Sequence, residues 1–288
     1  MRDFIIKLSS IDRRWVFLLV AICTVVPFLI PGGLGLPQST VTRYTQLVFD
    51  EVDQLGPDTK PIILSLNYDP GTLAELQPMA EAVLRHIFAR KGKVIVLTFM
   101  PTGAGLAQET IYRIAGEFKD KGIVEGENFA FLGFNFPFAA CVQGIGRDIR
   151  KHYPQDQRGV NLDDMPMFKD VTNYQDIHIV LDLAGNNYPV AWISNAHERF
   201  GARFAMGVTN VMAADFTPYV SSGQAQGMLQ GMRGAAEYER LLVEAGYWPT
   251  TGDATLGMDA QSVTHVLILI LIVLGNLGYF LGRKKGGA

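Results

Sequence analysis

Cysteine is nearly missing: Cys23 and Cys141 are the only two in 288 residues. Cys23 lies in an apolar run and Cys141 stands alone in the middle of the chain. No disulfide framework follows, and no Cys-x-x-Cys zinc or redox motif. Charge is scarce too, at 18% of residues against 48% hydrophobic. That balance excludes a disordered chain. Neither a Gly-x-x-x-x-Gly-Lys-Ser/Thr loop nor a Gly-x-Ser-x-Gly elbow occurs. A P-loop nucleotide site and an α/β-hydrolase nucleophile are therefore not indicated. His86, His152, His178, His197 and His265 are scattered without metal spacing, and no metal or cofactor is expected.

What is present is a surplus of hydrophobicity gathered at the two ends. Trp15–Ile30 carries no charge, and the uncharged run continues to Pro37; Val263–Gly282 is a second such run. About 20 residues at 1.5 Å each cross a hydrocarbon core of about 30 Å. The second run meets that length, and the first reaches it with tilt and its apolar tail. Two transmembrane helices, 15–36 and 263–282, are expected. The first is read as an uncleaved anchor, since no small-x-small site closes it. Arg2, Lys7, Arg13 and Arg14 precede the first run, and Arg283, Lys284 and Lys285 follow the second. By the positive-inside rule both termini are cytoplasmic, in a two-pass protein of the cell (inner) membrane. Segment 1–14, striped by Phe4, Leu8, Ile11 and Trp15, would lie at the interface, and 283–288 forms a basic tail.

Residues 37–262 then form an extracytoplasmic domain. Removing four Lys+Arg and two Asp+Glu before it, and three Lys+Arg after it, leaves 18 against 26 and a charge of −8. An acidic domain lacks the counterion-release drive toward nucleic acid, so none is expected as a partner. Apolar runs alternate with helical periodicity: strands are expected near Ile62–Tyr68, Lys93–Phe99, Phe129–Phe134, Ile177–Leu183 and Arg203–Val211. Helices fall between them, and a long one over Gln224–Ala245 closes the domain. The expected fold is α/β, a doubly wound, mostly parallel five-stranded sheet flanked by N- and C-terminal transmembrane helices. Segment 153–175, rich in Asp, Pro and Gln, is a long excursion suited to a lid or partner loop.

Ligands of open α/β sheets bind beyond the strands' carboxyl ends. Asp69 follows the first strand there, Thr102, Gly103 and Gly105 the second, Asn186 the fourth and Asp215 the fifth. These residues could ring a small polar ligand, and Asp69 with Asp215 could hold a cation or act as an acid/base pair. Ordinary turn and capping chemistry explains the same residues. Gly103-Ala104-Gly105 begins a dinucleotide fingerprint that Gln108 does not complete. Asp182, inside an apolar strand, has no readable partner. Gly223, Gly227 and Gly231 recur every four residues on the last predicted helix. Gly278 and Gly282 repeat the spacing in the second span, beside Asn276, which could hydrogen-bond across helices. These six residues would form an interaction face.

The blocks Leu66-Asn67-Tyr68-Asp69-Pro70-Gly71, Ala196-His197-Glu198-Arg199-Phe200-Gly201 and Gly231-Met232-Arg233-Gly234-Ala235-Ala236-Glu237-Tyr238-Glu239 resemble ones in uncharacterised two-span prokaryotic membrane proteins. That resemblance implies architecture and no chemistry. The leading expectation is a non-catalytic membrane-anchored subunit that assembles with itself or with other membrane proteins. A tethered sensor for a small polar ligand and an Asp-centred hydrolase or transferase are the alternatives.

Overall fold

The computed structural model describes residues 12–30, 32–36 and 40–283. The stripe from Phe4 to Ile11 and the tail after Arg283 lie outside them. Contacts divide the chain into two compact units, Ser39–Ala254 and the pair Met1–Gln38 with Thr255–Ala288.

Within Ser39–Ala254, six parallel strands form one sheet: β1 (Ile62–Asn67), β2 (Val94–Thr98), β3 (Phe129–Phe134), β4 (Val180–Ala184), β5 (Phe204–Val208) and β6 (Met228–Gln230). Their order is β3-β2-β1-β4-β5-β6. Five strands were expected, and the sixth is a correction. Met228, Leu229 and Gln230 pair with Met206, Gly207 and Val208, where a helix over Gln224–Ala245 was predicted. Gly227 and Gly231 explain the difference. A Cβ on Gly227 would press on the backbone of Tyr44 and Val48, and Gly231 turns at φ +56°. Both serve the close passage of a short edge strand, a use of glycine that helical periodicity does not distinguish.

One face of the sheet carries α2 (Arg43–Asp53), α3 (Leu73–Ala89), α4 (Ala104–Glu117) and α8 (Gly231–Glu244). The other carries α5 (Phe138–His152), α6 (Tyr188–Trp192) and α7 (Ala213–Ser221). A π turn, Ile193–His197, and a last helical turn, Glu198–Phe200, extend α6. Both faces are covered, so every residue of β1, β2, β4 and β5 is buried. This burial explains the continuous apolar runs of these strands.

The excursion 153–175 is no lid. Leu162, Met165, Phe168, Val171 and Tyr174 are buried in the same core as α5 and α6. Gln157 N also donates to Phe131 O, covering the free edge of β3. Asn161 and Asn173 cap two of its 3-10 turns, Leu162–Asp164 and Tyr174–Asp176, and Pro166 opens the third, Pro166–Phe168.

The second unit contains α1 (Arg13–Leu29) and all but the first two residues of α9 (Asp253–Arg283). Thr24 Oγ1 lies 3.4 Å from Thr264 Oγ1, and Leu34 N donates to Asp259 Oδ2 at 2.8 Å. Among the described residues one helix is long and apolar enough to cross a membrane, Asp253–Phe280. The two-span expectation is therefore corrected. Helix α1 has 17 residues, begins with Arg13 and Arg14, and stops at Ile30, which is extended. That length spans about 25 Å, short of a hydrocarbon core. Positive-φ Gly32, Gly33 and Gly35 turn the chain where the uncharged run was read as continuing helix. The two-pass topology with both termini cytoplasmic, and the outside placement of the middle domain, fall with it. Among the described residues, an α/β domain is joined to one apolar helix of membrane-crossing length, consistent with membrane anchoring.

Candidate functional site

The strand order is that of dinucleotide-binding sheets, in which the sequence of strands runs outward in opposite directions from β1 and β4. Strand order alone assigns no function, so the groups at this switch point decide what it can do. They are turned mostly toward one another. Asp69 Oδ1 accepts from Gly71 N at 3.0 Å, an ordinary Asx turn. Asn186 Oδ1 accepts from Tyr188 N, and its Nδ2 lies 3.0 Å from Met100 Sδ. Tyr188 donates its hydroxyl to Phe99 O at 3.1 Å. Glu75, in the first turn of α3, accepts from Asn210 N at 2.7 Å. That carboxylate occupies the helix end at which a phosphate would bind.

The predicted ligand residues are thus placed as follows. Gly103 lies in the 3-10 turn Pro101–Gly103, and a Cβ there would strike the carbonyl of Tyr68. It allows the β2 loop to pack on the β1 loop. Thr102 is exposed, and Gly105 faces open space in the first turn of α4. Asp215 is exposed in the first turn of α7. No hydrogen bond or ion pair joins it to Asp69 among the described residues, and no cluster of metal-ligating side chains occurs among them.

The interaction face is also rearranged. Gly223 lies in a turn at φ +82°, Gly227 precedes β6, and Gly231 opens α8. They share no helix. Asn276 donates to Ile272 O within its own helix at 2.8 Å, and Gly278 and Gly282 lie on that same helix, α9.

Two features escaped the sequence reading. The first is a polar cluster beneath the switch point. Ser65 and Asp182 are register partners on β1 and β4, and Asn67 shares their face. All three are fully buried. Asn67 Nδ2 donates to Asp182 Oδ1 at 2.6 Å and to Ser65 Oγ at 2.7 Å, while its Oδ1 accepts from Phe99 N. Burial pushes the Asp182 carboxyl up to about 7, opposed by Ser65, Asn67 and the Trp192 indole. Polar side chains at alternate positions of a buried strand were the signal.

The second feature is the crest formed by the loops after β1 to β5. Because all strands are parallel, these loops lie along one edge. From β3 to β5 is four strand spacings, about 19 Å. Segments 68–72, 99–103, 134–137, 185–187 and 209–212 contain one charged residue, Asp69. Phe134 is 40% exposed, Phe136 73% and Val211 87%. In contrast, a cavity of about 130 Å³ lined by Lys60, Lys93, Asp170 and Asp176 opens near the strands' amino ends.

No family model, curated protein or solved structure matches the chain. The resemblance to two-span membrane proteins is accordingly corrected: no relative supports it, and among the described residues one membrane-length helix is present instead of two.

Proposed function

We propose that this protein is a non-catalytic membrane-anchored subunit whose α/β domain assembles with a second copy or another membrane protein through the crest. The observation that carries this reading is the exposure of Phe134, Phe136 and Val211 along an almost uncharged edge. Large apolar side chains exposed at both ends of one edge favour burial against a partner that spans it. Fully burying such a side chain contributes about 1.5–3 kcal/mol. The hydrogen bonds around Asp69, Asn186 and Tyr188 support the same reading. They commit these polar groups of the crest to partners within the chain, so that fewer are left to be desolvated at an interface. The apolar part of α9 supplies the anchor.

Extraction in a mild detergent, with size analysis and mass spectrometry, tests the proposal. An assembly larger than one protomer is expected from the native protein. Phe136→Asp combined with Val211→Asp should reduce it to a folded single protomer. A native particle of one protomer with nothing co-purifying, or an assembly untouched by both substitutions, would overturn the reading.

A further inference from the structure

Asp182 has only half of its carboxyl group satisfied. Oδ1 accepts from Asn67, whereas Oδ2 has no hydrogen-bond partner, and neither has the Nε1 of Trp192. Both residues are fully buried. The indole lies near enough to favour the ionised carboxylate, but outside hydrogen-bonding geometry. A neutral carboxyl tolerates such a gap far better than a buried anion, which must gather donors. The unpaired indole N–H is the donor at hand.

Helix α6 runs directly into an irregular turn. Trp192 is its last residue, and the π turn Ile193–His197 follows directly. A π turn holds an extra residue and can take up a displacement of the segment before it. At the other end of α6, Tyr188 donates to Phe99 O and stacks on Phe138 at 4.8 Å. Phe99 N in turn donates to Asn67 Oδ1 at 2.7 Å. The Phe99 peptide is therefore held on both sides by groups that lead back to Asp182.

We propose that Asp182 and Trp192 form a proton-sensitive latch between β4 and α6. When the carboxyl loses its proton to solvent, the indole N–H closes onto Oδ2, and α6 carries that movement to Tyr188 and Phe99 at the strand ends. Around Asp182, Ser65 and Asn67 of β1 and Met206 of β5 do not titrate in the neutral range. Tyr188 of α6 is a phenol raised by burial and by the Asp182 charge. Tyr174, whose ring lies 6.4 Å from that of Trp192, is a phenol raised by burial. No ion pair reaches Asp182 among the described residues. The latch acts whether or not the crest binds a partner.

Nuclear magnetic resonance of the full-length chain in detergent tests it between pH 5 and 9. The indole N–H signal of Trp192 is assigned with Trp15→Phe and Trp248→Phe, and the Asp182 carboxyl carbon is followed in parallel. Both signals are expected to move together with one midpoint near 7. The indole proton should shift downfield and exchange more slowly with solvent above that midpoint. In Asp182→Asn the indole transition should disappear. In Trp192→Phe the carboxyl midpoint should rise, because the anion has lost its donor. An indole signal flat across the range, different midpoints for the two groups, or a transition persisting in Asp182→Asn would overturn the latch. The paired wild-type titration decides the matter even if a variant does not fold.

Discussion

Two buried ionisable side chains, Asp182 and His86, make the folded state respond to pH in opposite directions. Asp182 is held at about 7 against 3.8 by burial. The folded state therefore keeps a proton that the unfolded chain releases, and stability falls as pH rises from about 4 to about 7. At about 1.36 kcal/mol per unit the cost is on the order of 4 kcal/mol. Asp182→Asn should recover it at pH 8 and change little at pH 4, as urea titrations at the two pH values would show. His86 is held down to about 4 by burial, despite Asp53 beside it. Here the unfolded chain binds the extra proton, so stability is lost as pH falls from 6.5 toward 4, by about 3 kcal/mol. His86→Gln should flatten that acid limb in a thermal melt. The ring bridges Tyr238 at 2.9 Å and Asp53 at 3.3 Å between α3, α8 and the end of α2. Such a satisfied core histidine is indistinguishable in sequence from a catalytic one, since the two differ only in what surrounds the ring.

Among the elements, α8 ties both ends of the α/β unit to its core. Glu237 Oε2 accepts from Thr42 N, Thr42 Oγ1 and Thr45 Oγ1. Glu239 accepts from Gly252 N and Ala254 N. One carboxylate thus caps the start of α2, and the other the start of α9. Glu237→Gln places an amide donor against donors already there and should cost about 1–3 kcal/mol. Hydrogen exchange over residues 43–53 should accelerate while that of β1 holds. Strand periodicity located β1 to β5 within a few residues, because buried parallel strands are nearly all apolar. It missed β6, whose three residues are too few to establish a period. It also read Gly223, Gly227 and Gly231 as one helical face. Spacing alone could not reveal that two of the three have positive φ.

For the whole molecule, membrane attachment rests on α9. Truncation after Ala254 should release the chain from an alkaline-washed membrane fraction, although α1 remains. Retention of the truncated chain would show that α1 is an anchor in its own right. The exposed Phe134, Phe136 and Val211 bring a second consequence. In a monomeric preparation stripped of partners, association should strengthen with salt, because apolar contacts gain and the crest's carboxylates, Asp69 and the Glu75 side chain that reaches Asn210, repel their counterparts less when screened. Light scattering across a sulfate series measures it.

Composition and periodicity by themselves determined the α/β class, the positions of five strands and the apolar character of the final helix. Each of these depends on local pattern: burial on both faces makes a strand apolar throughout, and bilayer length needs an unbroken helical run. Tertiary structure decided the rest. It ended the first apolar run at 17 helical residues and inserted a sixth strand. It placed Asp182 against Ser65 and Asn67 and gathered Phe134, Phe136 and Val211 on one edge. The end of the first helix is a matter of backbone conformation at Ile30 and the glycines after it; the others are relations between residues far apart in the chain, set by strand order and register, and hydrophobic pattern contains none of these.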